Sequence, residues 1–453
     1  MSSRLQATLK QRVLRAGGWS IAGYGFSQVI RFASNLVMTR LLVPEMFGVM
    51  AIAMMIMYGL ALFSDVGLRQ NVVQSRRGND ALFLNTAWTI QILRGGLLWF
   101  FALGASFLVF AANRNGFFAE GSVYAEPNLP YVISILSANT VISGFNSTKI
   151  FEAGRNLSLY RITKIEIASQ ITGLIVMFFW VAFDRSIWAL VAGSLCSCMT
   201  SLILSHVSLP GVANRWQWDD AAFREIIQFG KWIFLSSILG FLINSGDRLM
   251  LGGLVSATVL GVYTIAFFIF SAVEQALAKI ITDVAFPAFS EIVREQPTDL
   301  KAKYYQFHSV IASFSYFCAG TLIVSGQALI ALLYDKRYTQ AGWILETLSV
   351  ALLIVPFRLA PYCFMALGMP RLLSSILVIR LATMFILMPV GFHLLGLPGV
   401  MWGIVFSHFS SLPQTIYYKV KYGLFDLRKE LIVLPMVLIG VIVGKTFNWA
   451  IGY

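Results

Sequence analysis

The sequence of 453 residues is 58% hydrophobic, has a mean hydropathy of +0.75, and contains only 12% charged residues. Soluble domains carry about 25% charged residues, so this chain has too few polar side chains to form the surfaces of soluble domains. The same shortage excludes a coiled coil and a disordered chain. The composition indicates a polytopic membrane protein, yet 34 Lys and Arg against 21 Asp and Glu leave a net charge of +13.

Apolar segments of the length that a bilayer core requires, roughly 20 residues per helix, follow one another along the chain. Six are predicted before a break, at 17–39, 46–68, 84–110, 129–148, 164–183 and 187–207. Six more are predicted at 229–254, 259–285, 307–333, 343–367, 371–395 and 397–419, and an extra C-terminal span is a candidate at 430–450. The connections are short, so no soluble domain is inserted between the spans. The predicted fold class is therefore an all-α polytopic membrane protein.

The spans and the break between them predict the domain organisation. It comprises a cytoplasmic tail at 1–16, a first lobe at 17–208, a cytoplasmic linker at 209–228, a second lobe at 229–420, and a C-terminal segment at 421–453. With the N-terminus inside, 22 Lys and Arg fall in cytoplasmic segments and 6 on the opposite side. This asymmetry follows the positive-inside rule and predicts a cytoplasmic N-terminus.

The two halves of the chain contain an internal repeat. Shifting the sequence by 213 residues places 17–53 on 230–266 with 8 identities in 37 positions. Each half has six predicted spans, an even number, so both enter the membrane in the same direction. This pattern predicts a parallel repeat about an axis along the membrane normal, with a substrate site between the halves.

Several charges fall inside the predicted spans, where a cation costs about 2.5–3.5 kcal/mol at the helix centre. The cations are Arg31, Arg94, Arg248, Lys279, Arg358 and Arg380. The acids that could pair with them or act in gating are Asp65, Glu166, Asp247 and Glu274. Because the acids are fewer, pairing cannot neutralise all the cations.

Two interpretations of these cations remain open. One is a set of structural ion pairs between helices, with Arg248 and Lys279 reaching a membrane interface. The other is an aqueous cationic cavity that receives an anion, for which arginine suits phosphate because its planar fork binds two oxygens. The adjacent Asp247 and Arg248 diverge by about 100° on a helix, so each is expected to find partners on other helices.

The cysteines and histidines form no recognisable metal-binding or catalytic set. All four cysteines lie in apolar stretches without a nearby histidine to complete a zinc site. The four histidines, His206, His308, His393 and His408, lie in or near span ends. They are predicted to fill polar gaps, with a pH-linked gate as the alternative. No metal or cofactor is predicted.

Several short motifs resemble those of a known family. Residues 35–48 (NLVMTRLLVPEMFG) and 65–68 (DVGL) are similar to the first two spans of polysaccharide flippases. The second half adds 246–255 (GDRLMLGGLV), 260–266 (LGVYTIA), 286–290 (FPAFS), 333–338 (LYDKRY) and 368–371 (GMPR). Over about residues 12–420 the chain resembles the polysaccharide transporter family of the MOP flippase superfamily, which includes Wzx-type lipid-linked oligosaccharide flippases.

The resemblance implies two six-helix lobes in a MATE-like V-shaped arrangement around a central cationic cavity. It implies alternating access that moves an undecaprenyl-diphosphate-linked oligosaccharide, such as an O-antigen, exopolysaccharide or capsule repeat unit, across the bacterial inner membrane. The substrate-binding residues would be Arg31, Arg94, Arg358 and Arg380, with Arg248 and Lys279 as further cations. Implied partners are the lipid carrier, membrane lipids, a polysaccharide polymerase and its chain-length machinery, with no nucleic acid, and the chain is expected to be a monomer.

Two other functions compete with the flippase. A MATE-like cation-coupled drug or metabolite antiporter should favour buried acids, whereas this interior is rich in cations. An oligosaccharide polymerase or ligase needs positioned titratable groups. The longest outer loop, at 111–128, carries Arg114, Glu120 and Glu126 but no histidine or metal cluster. The sequence therefore predicts a transporter and not an enzyme.

Overall fold

The computed structural model describes residues 25–63, 68, 71–72, 75, 77–119, 121–155, 158–295 and 297–452. Most of these residues are helical and none of them lies in a strand, which confirms the predicted all-α class. Nine helices in this part of the chain are long and apolar enough to cross a membrane. The protein is therefore a multi-pass membrane protein, and its chain forms two compact units, the first ending at Leu242 and the second beginning at Ile243.

The first unit follows the predicted spans with one interruption. Its helices are α1 (25–41), α2 (Pro44–Phe63), α3 (Ala81–Arg114), α4 (Leu129–Leu136), α5 (Ala138–Gly144), α6 (Lys149–Arg155), α7 (Leu159–Phe183) and α8 (Trp188–Val207). Helix α9 (Asp220–Leu254) follows. The span predicted at 129–148 is thus two short helices, which end where α5 packs on α3. A Cβ on Gly95 of α3 would lie 2.6 Å from the Thr140 carbonyl of α5, so this approach requires glycine.

Residues 209–219 of the predicted linker at 209–228 form a non-helical segment that packs on the first unit. This segment is called the strap below. The Val212 amide donates to Glu152 Oε2 at 3.3 Å, and Ser147 Oγ donates to Asn214 Oδ1 at 2.6 Å. Further along, Thr89 Oγ1 donates to the Gln217 carbonyl at 2.9 Å, and Arg77 Nη2 donates to Asp219 Oδ2 at 2.7 Å. The Arg77 hydrogen bond holds the pKa of Asp219 below its usual value. Helix α9 begins at Asp220, inside the predicted linker range.

Glu152 holds the strap by a hydrogen bond, but burying its ionised carboxylate costs free energy, and this cost depends on pH. Its side chain is 8% exposed, and burial raises the pKa of the carboxyl above its ordinary value. When the pKa of a carboxyl is higher in the folded protein than in the unfolded chain, its contribution to stability is fully present below the unfolded-state pKa. That contribution is lost as the pH rises through the folded-state pKa. Gly211, at φ +139°, allows the close approach, since a Cβ there would lie 2.3 Å from Glu152 Oε2.

Glu152→Gln is therefore expected to raise the Tm at pH 7.5 by about 1 °C, the shift for roughly 0.5–1 kcal/mol in a chain of this size. The amide oxygen can still accept the Val212 N–H, but it carries no charge to bury. Thermal unfolding of the purified protein from pH 4.5 to 8 measures the effect, and the difference from wild type should shrink toward pH 4.5. Glu166→Gln, at an exposed position of α7, is the matched control. A lower Tm for Glu152→Gln at pH 7.5 would contradict this account.

The second unit contains the remaining helices. They are α10 (Ala257–Ile280), α11 (Phe286–Glu295), α12 (Leu300–Leu333), α13 (Gln340–Ser349), α14 (Leu359–Ala366), α15 (Pro370–Leu395), α16 (Leu397–Phe409), α17 (Leu412–Lys421), α18 (Leu427–Leu431) and α19 (Pro435–Ile451). A π-helical turn, Ile281–Ala285, joins α10 to α11. The spans predicted at 343–367 and 397–419 are interrupted, the first by a 3-10 helix and the second at Ser410.

The 3-10 helix Val350–Arg358 lies between α13 and α14 and contains Pro356. Proline has no N–H, and in the i to i−3 bonding of a 3-10 helix this removes the backbone donor for the Leu353 carbonyl. The neighbouring Leu352 carbonyl accepts a hydrogen bond from another helix, because the buried Ser315 Oγ of α12 donates to it at 2.7 Å. This bond ties the irregular turn to α12. This irregular turn ends at Arg358.

Ser315→Ala is expected to destabilise the protein by about 0.5–1.5 kcal/mol, the net contribution of one intramolecular hydrogen bond. Thermal unfolding in detergent would show this as a lower Tm. Ser309→Ala on the same helix is the matched control, because Ser309 Oγ donates to the Tyr305 carbonyl within α12 itself. Equal Tm values for the two variants would show that the Leu352 carbonyl does not depend on Ser315.

Glycines fix the register of α15 on α16. The turn between them has Gly396 at φ +65°. A Cβ on Gly399 would lie 2.0 Å from the Gly391 carbonyl, and one on Gly403 would lie 2.8 Å from the Leu387 carbonyl. The two antiparallel helices therefore touch backbone to backbone. The same register, continued along the pair, brings Arg380 of α15 beside His408 of α16.

The C-terminal candidate span is helical and packs closely on α12. The segment Leu427–Ile451 is long and apolar enough to cross a membrane. A Cβ on Gly320 of α12 would lie 2.1 Å from the Val437 carbonyl, and one on Gly440 would lie 2.2 Å from the Phe317 carbonyl. The last helix is thus held against α12 by a contact that only small residues permit.

Candidate functional site

A polar pocket lies among the helices of the second unit. Its volume is about 150 Å³. The polar lining comes from α9, α10, the 3-10 helix, α15 and α16, and consists of Asp247, Glu274, Gln275, Arg358, Arg380 and His408. Apolar side chains such as Phe267, Phe270 and Ile404 complete the wall. Polar groups from five elements, four of which contribute a charge, therefore converge within helices that the sequence predicts to span the membrane.

Arg358 links two of these groups. Its Nη1 donates to Glu274 Oε1 at 2.5 Å, and its Nη2 lies 2.6 Å from His408 Nδ1. The partners are 84 and 50 residues away along the chain. The ion pair means that one of the predicted substrate-binding cations is held by one of the predicted ion-pair acids.

Arg380 approaches the other side of the same histidine. Its Nη2 lies 2.9 Å from His408 Nε2. Among the side chains that the structure describes, no carboxylate lies within salt-bridge distance of Arg380. His408 itself is 6% exposed and packs edge-on against Phe270, with ring centroids 6.4 Å apart.

Asp247 and Arg248 sit at the edge of this network. Tyr263 Oη donates to Asp247 Oδ2 at 2.5 Å, and the Arg248 guanidinium lies over the Phe267 ring at 4.5 Å. Both partners are on α10, so the prediction of contacts with another helix is confirmed. The expectation that the two adjacent residues diverge is wrong, since Arg248 Nε lies 3.7 Å from Asp247 Oδ1. The long arginine side chain folds back along its own helix.

The first unit contains a separate cavity of about 470 Å³ that is lined in part by Arg94. Arg94 Nη2 donates to the Ala61 carbonyl at 2.6 Å. Gln91 Nε2 donates to three carbonyls at the end of α5, those of Ser143, Gly144 and Asn146, at 3.0–3.1 Å. Amide and hydroxyl groups thus surround one arginine in this cavity.

The remaining predicted site residues lie elsewhere. Arg31 on α1 and Glu166 on α7 are exposed, and Lys279 is half-buried near the end of α10. None of the three lines either cavity described above. Asp65 lies outside the described residues. The structure therefore brings together Asp247, Glu274, Arg358 and Arg380, and it places Arg248 beside them.

For two members of the pocket network the sequence predicts no part in the site. His408 is predicted to fill a polar gap or to act as a pH-linked gate, and Tyr263 lies in the motif 260–266 without an assigned role. The spacing between Arg380 and His408 across the Gly396 turn could have signalled the first. For Tyr263, its position 16 residues from Asp247 gives no signal without the helix packing.

The described charges of the pocket and its edge do not cancel. The arginines Arg248, Arg358 and Arg380 face the carboxylates Asp247 and Glu274, which leaves an excess of one positive charge. Arg380 carries that excess, because Asp247 and Glu274 pair with the other two. A cation held among membrane helices with only a histidine beside it can attract an anion.

Comparisons with known proteins agree with this architecture. A family model described as polysaccharide biosynthesis protein matches residues 37–342. The lipopolysaccharide biosynthesis protein WzxC of Escherichia coli K12 is 22% identical over 354 residues, which cover 76% of this chain and 67% of WzxC.

Two solved structures share the fold. The lipid II flippase MurJ in an inward closed conformation matches with a TM-score of 0.69 at 12% identity, covering 96% of this chain and 97% of MurJ. An inward-facing multidrug resistance MATE family transporter of the MOP superfamily matches with a TM-score of 0.67 at 15% identity, covering 94% of this chain and 95% of that one. The fold is therefore MATE-like, as the sequence predicted.

Proposed function

The chain belongs to the polysaccharide biosynthesis protein family, and we propose that it is a flippase for an undecaprenyl-diphosphate-linked oligosaccharide. The substrate would be an O-antigen, exopolysaccharide or capsule repeat unit that crosses the bacterial inner membrane by alternating access. The observation that carries the proposal is Arg380, a cation in a polar pocket among membrane helices with no described carboxylate partner. A diphosphate or an acidic sugar is the complementary ligand.

The pocket favours this function over a cation-coupled antiporter. The MATE-like fold is common to both, so it does not separate them. A site that binds organic cations should present an excess of carboxylates, but Asp247 and Glu274 are each engaged by an arginine. The family membership and the excess of arginine point the same way.

The remaining predictions from the sequence form part of the proposal. Arg31, Arg94 and Lys279 would contact the substrate together with the second-unit pocket, and Asp65 and Glu166 would act in gating or pairing. The N-terminus would be cytoplasmic, and the protein would act as a monomer with no catalytic activity. A polymerase and its chain-length machinery would use the exported repeat unit.

Deletion of the gene in its own host tests the function. We expect surface polysaccharide to be lost and the lipid-linked oligosaccharide to accumulate, because the repeat unit is assembled but cannot leave the cytoplasmic leaflet. Lipid extraction and mass spectrometry identify the intermediate, and the wild-type gene supplied on a plasmid should reverse both effects. Normal polysaccharide in the deletion strain, with no accumulated lipid, would refute the flippase.

The topology has its own prediction. A reporter fused after Lys429 should read cytoplasmic, because the cations near that position belong to the predicted inner face. A reporter fused after Arg337, on the predicted outer side, is the matched control and should read periplasmic. A periplasmic signal at Lys429 would overturn the twelve-span order that precedes it.

A further inference from the structure

The hydrogen bonds around His408 do not balance. Arg358 Nη2 lies 2.6 Å from Nδ1 and Arg380 Nη2 lies 2.9 Å from Nε2. A guanidinium only donates, so both ring nitrogens would have to accept. A neutral imidazole has one acceptor nitrogen and one N–H, and an imidazolium has no acceptor. In every protonation state, at least one contact therefore sets two donors against each other.

The neighbours of the ring decide which contact is unmatched. Arg358 is fixed by Glu274 on its other arm, at 2.5 Å, and makes the shorter contact with the histidine. That arrangement makes Nδ1 the acceptor and leaves the proton on Nε2. The Nε2–H then faces the N–H of Arg380, and neither hydrogen has an acceptor in that contact. A buried donor left in this way costs about 1–3 kcal/mol, and more when it is charged.

We propose that Arg380 and the Nε2–H of His408 form an oxyanion cradle, in which one oxygen of a phosphate or a carboxylate accepts both hydrogens. The 2.9 Å separation of the two nitrogens leaves no room for an oxygen between them, so on anion binding the Arg380 guanidinium would move off the ring nitrogen. One oxygen could then accept from both groups, and the unmatched contact would become two hydrogen bonds, one of them charge-assisted. Arg358 and Glu274 are positioning residues, because they hold the ring with Nε2 toward Arg380. The inference rests on the proposed flippase function and names the pair that holds the anionic group of its substrate.

Packing alone does not explain this arrangement. The edge-on contact with Phe270 would be made equally well by a phenylalanine at position 408. A ring that only fills space does not require a guanidinium at each nitrogen, as His408 has. The two roles therefore predict different results for His408→Phe, which keeps the ring and removes both nitrogens.

Anion binding to the purified full-length protein in nanodiscs tests the cradle. The probes are inorganic pyrophosphate, for the lipid diphosphate, and glucuronate, for an acidic sugar, each titrated by calorimetry. His408→Phe should weaken binding of the cognate anion about tenfold, the effect of one hydrogen bond to a charged group. His393→Phe, at an exposed position of α15, is the matched control and should bind as wild type does. The probe that loses affinity identifies the anion source.

A double-mutant cycle separates the cradle from a structural role. If one oxygen bridges the two groups, His408→Phe should change the affinity less than twofold in an Arg380→Ala background, because the shared contact is already lost. Independent effects in the cycle would overturn the cradle. So would wild-type affinity in a folded His408→Phe variant, or a wild-type protein that binds neither anion.

A second measurement needs no variant in the binding experiment. In protein labelled with ¹⁵N-histidine, the His408 signal should show the proton on Nε2 and should shift when the bound anion is added, with His408→Gln used only to assign the signal. A proton on Nδ1 would overturn the proposal. Both experiments are independent of lipid transport, so a failed cradle with accumulated lipid in the deletion strain leaves the flippase standing, and the converse also holds.

Discussion

Arg380→Ala is expected to abolish polysaccharide export while the protein still inserts in the membrane. Removing the guanidinium takes away the one pocket cation that no described carboxylate engages. A hydrogen bond to a charged group contributes about 1.5–3 kcal/mol, so loss of the guanidinium that contacts the substrate's anion should lower transport by at least about tenfold. The assay is complementation of the deletion strain, read as surface polysaccharide and as accumulated lipid-linked intermediate.

Matched substitutions make this result specific. Arg371→Ala removes an exposed arginine from the first turn of the same helix, α15, and should complement fully. Arg380→Lys keeps the charge but loses the planar fork that can bind two oxygens of an anion, so partial export is expected. Membrane fractions probed for the protein exclude a failure of insertion.

Arg31→Ala carries the same prediction from the sequence, although Arg31 is exposed on α1 and lines neither described cavity. Loss of export in Arg31→Ala would assign α1 a part in the transport path. Normal export in both single variants and in the double variant would refute a cationic site for the substrate.

The sequence predicted the membrane helices and the deep cations because both leave a local signal. A charge within twenty apolar residues is visible without a structure, which is why Arg358 and Arg380 were found. The sequence names Glu274 as an acid that could pair, but which cation it pairs with depends on helix packing, as does the contact of His408 with both arginines. The interruption of the span at 343–367 leaves a signal in the sequence, Pro356. The hydrogen bond from Ser315 that ties this turn to α12 leaves none, because Ser315 lies on another helix.

For the strap, the local sequence suggests a loose connection, whereas the structure shows a packed one. Residues 209–219 contain Pro, Gly, Asn and Asp, which is typical of a flexible linker. In the structure, the polar side chains Asn214 and Asp219 are hydrogen-bonded to the first unit. Turn-forming composition predicts where helices stop, but it does not predict whether the connection between them is packed.

Lys419 is the last residue of the span predicted at 397–419, and the structure buries it completely. Lys419 is 0% exposed, and its Nζ pairs with Glu430, which is 7% exposed. Tyr305 Oη donates to the same carboxylate at 2.8 Å, and His308 Nε2 lies 3.1 Å from its other oxygen. This buried cluster joins α12 and α17 to α18, the short helix that leads into the C-terminal span.

Lys419→Met is expected to be the most destabilising substitution in the second unit. Breaking a buried ion pair leaves an uncompensated charge and costs about 3–5 kcal/mol, which lowers the Tm by about 3–5 °C in a chain of this size. Thermal unfolding in detergent measures it. Lys421→Met, at an exposed position two residues further along α17, should leave the Tm unchanged.

The double variant Lys419→Met with Glu430→Leu decides whether charge or shape is responsible. Replacing a whole buried pair by apolar residues of similar volume is often neutral or stabilising, so the double variant should recover most of the lost Tm. A double variant as unstable as Lys419→Met would instead assign the loss to packing.

Loss of the Lys419 ion pair should also affect the pocket, because the centroid of the Phe357 ring lies 5.4 Å from Lys419 Nζ and Phe357 immediately precedes Arg358. Weaker pyrophosphate binding in Lys419→Met, restored in the double variant, would show that the cluster positions Arg358 and hence His408.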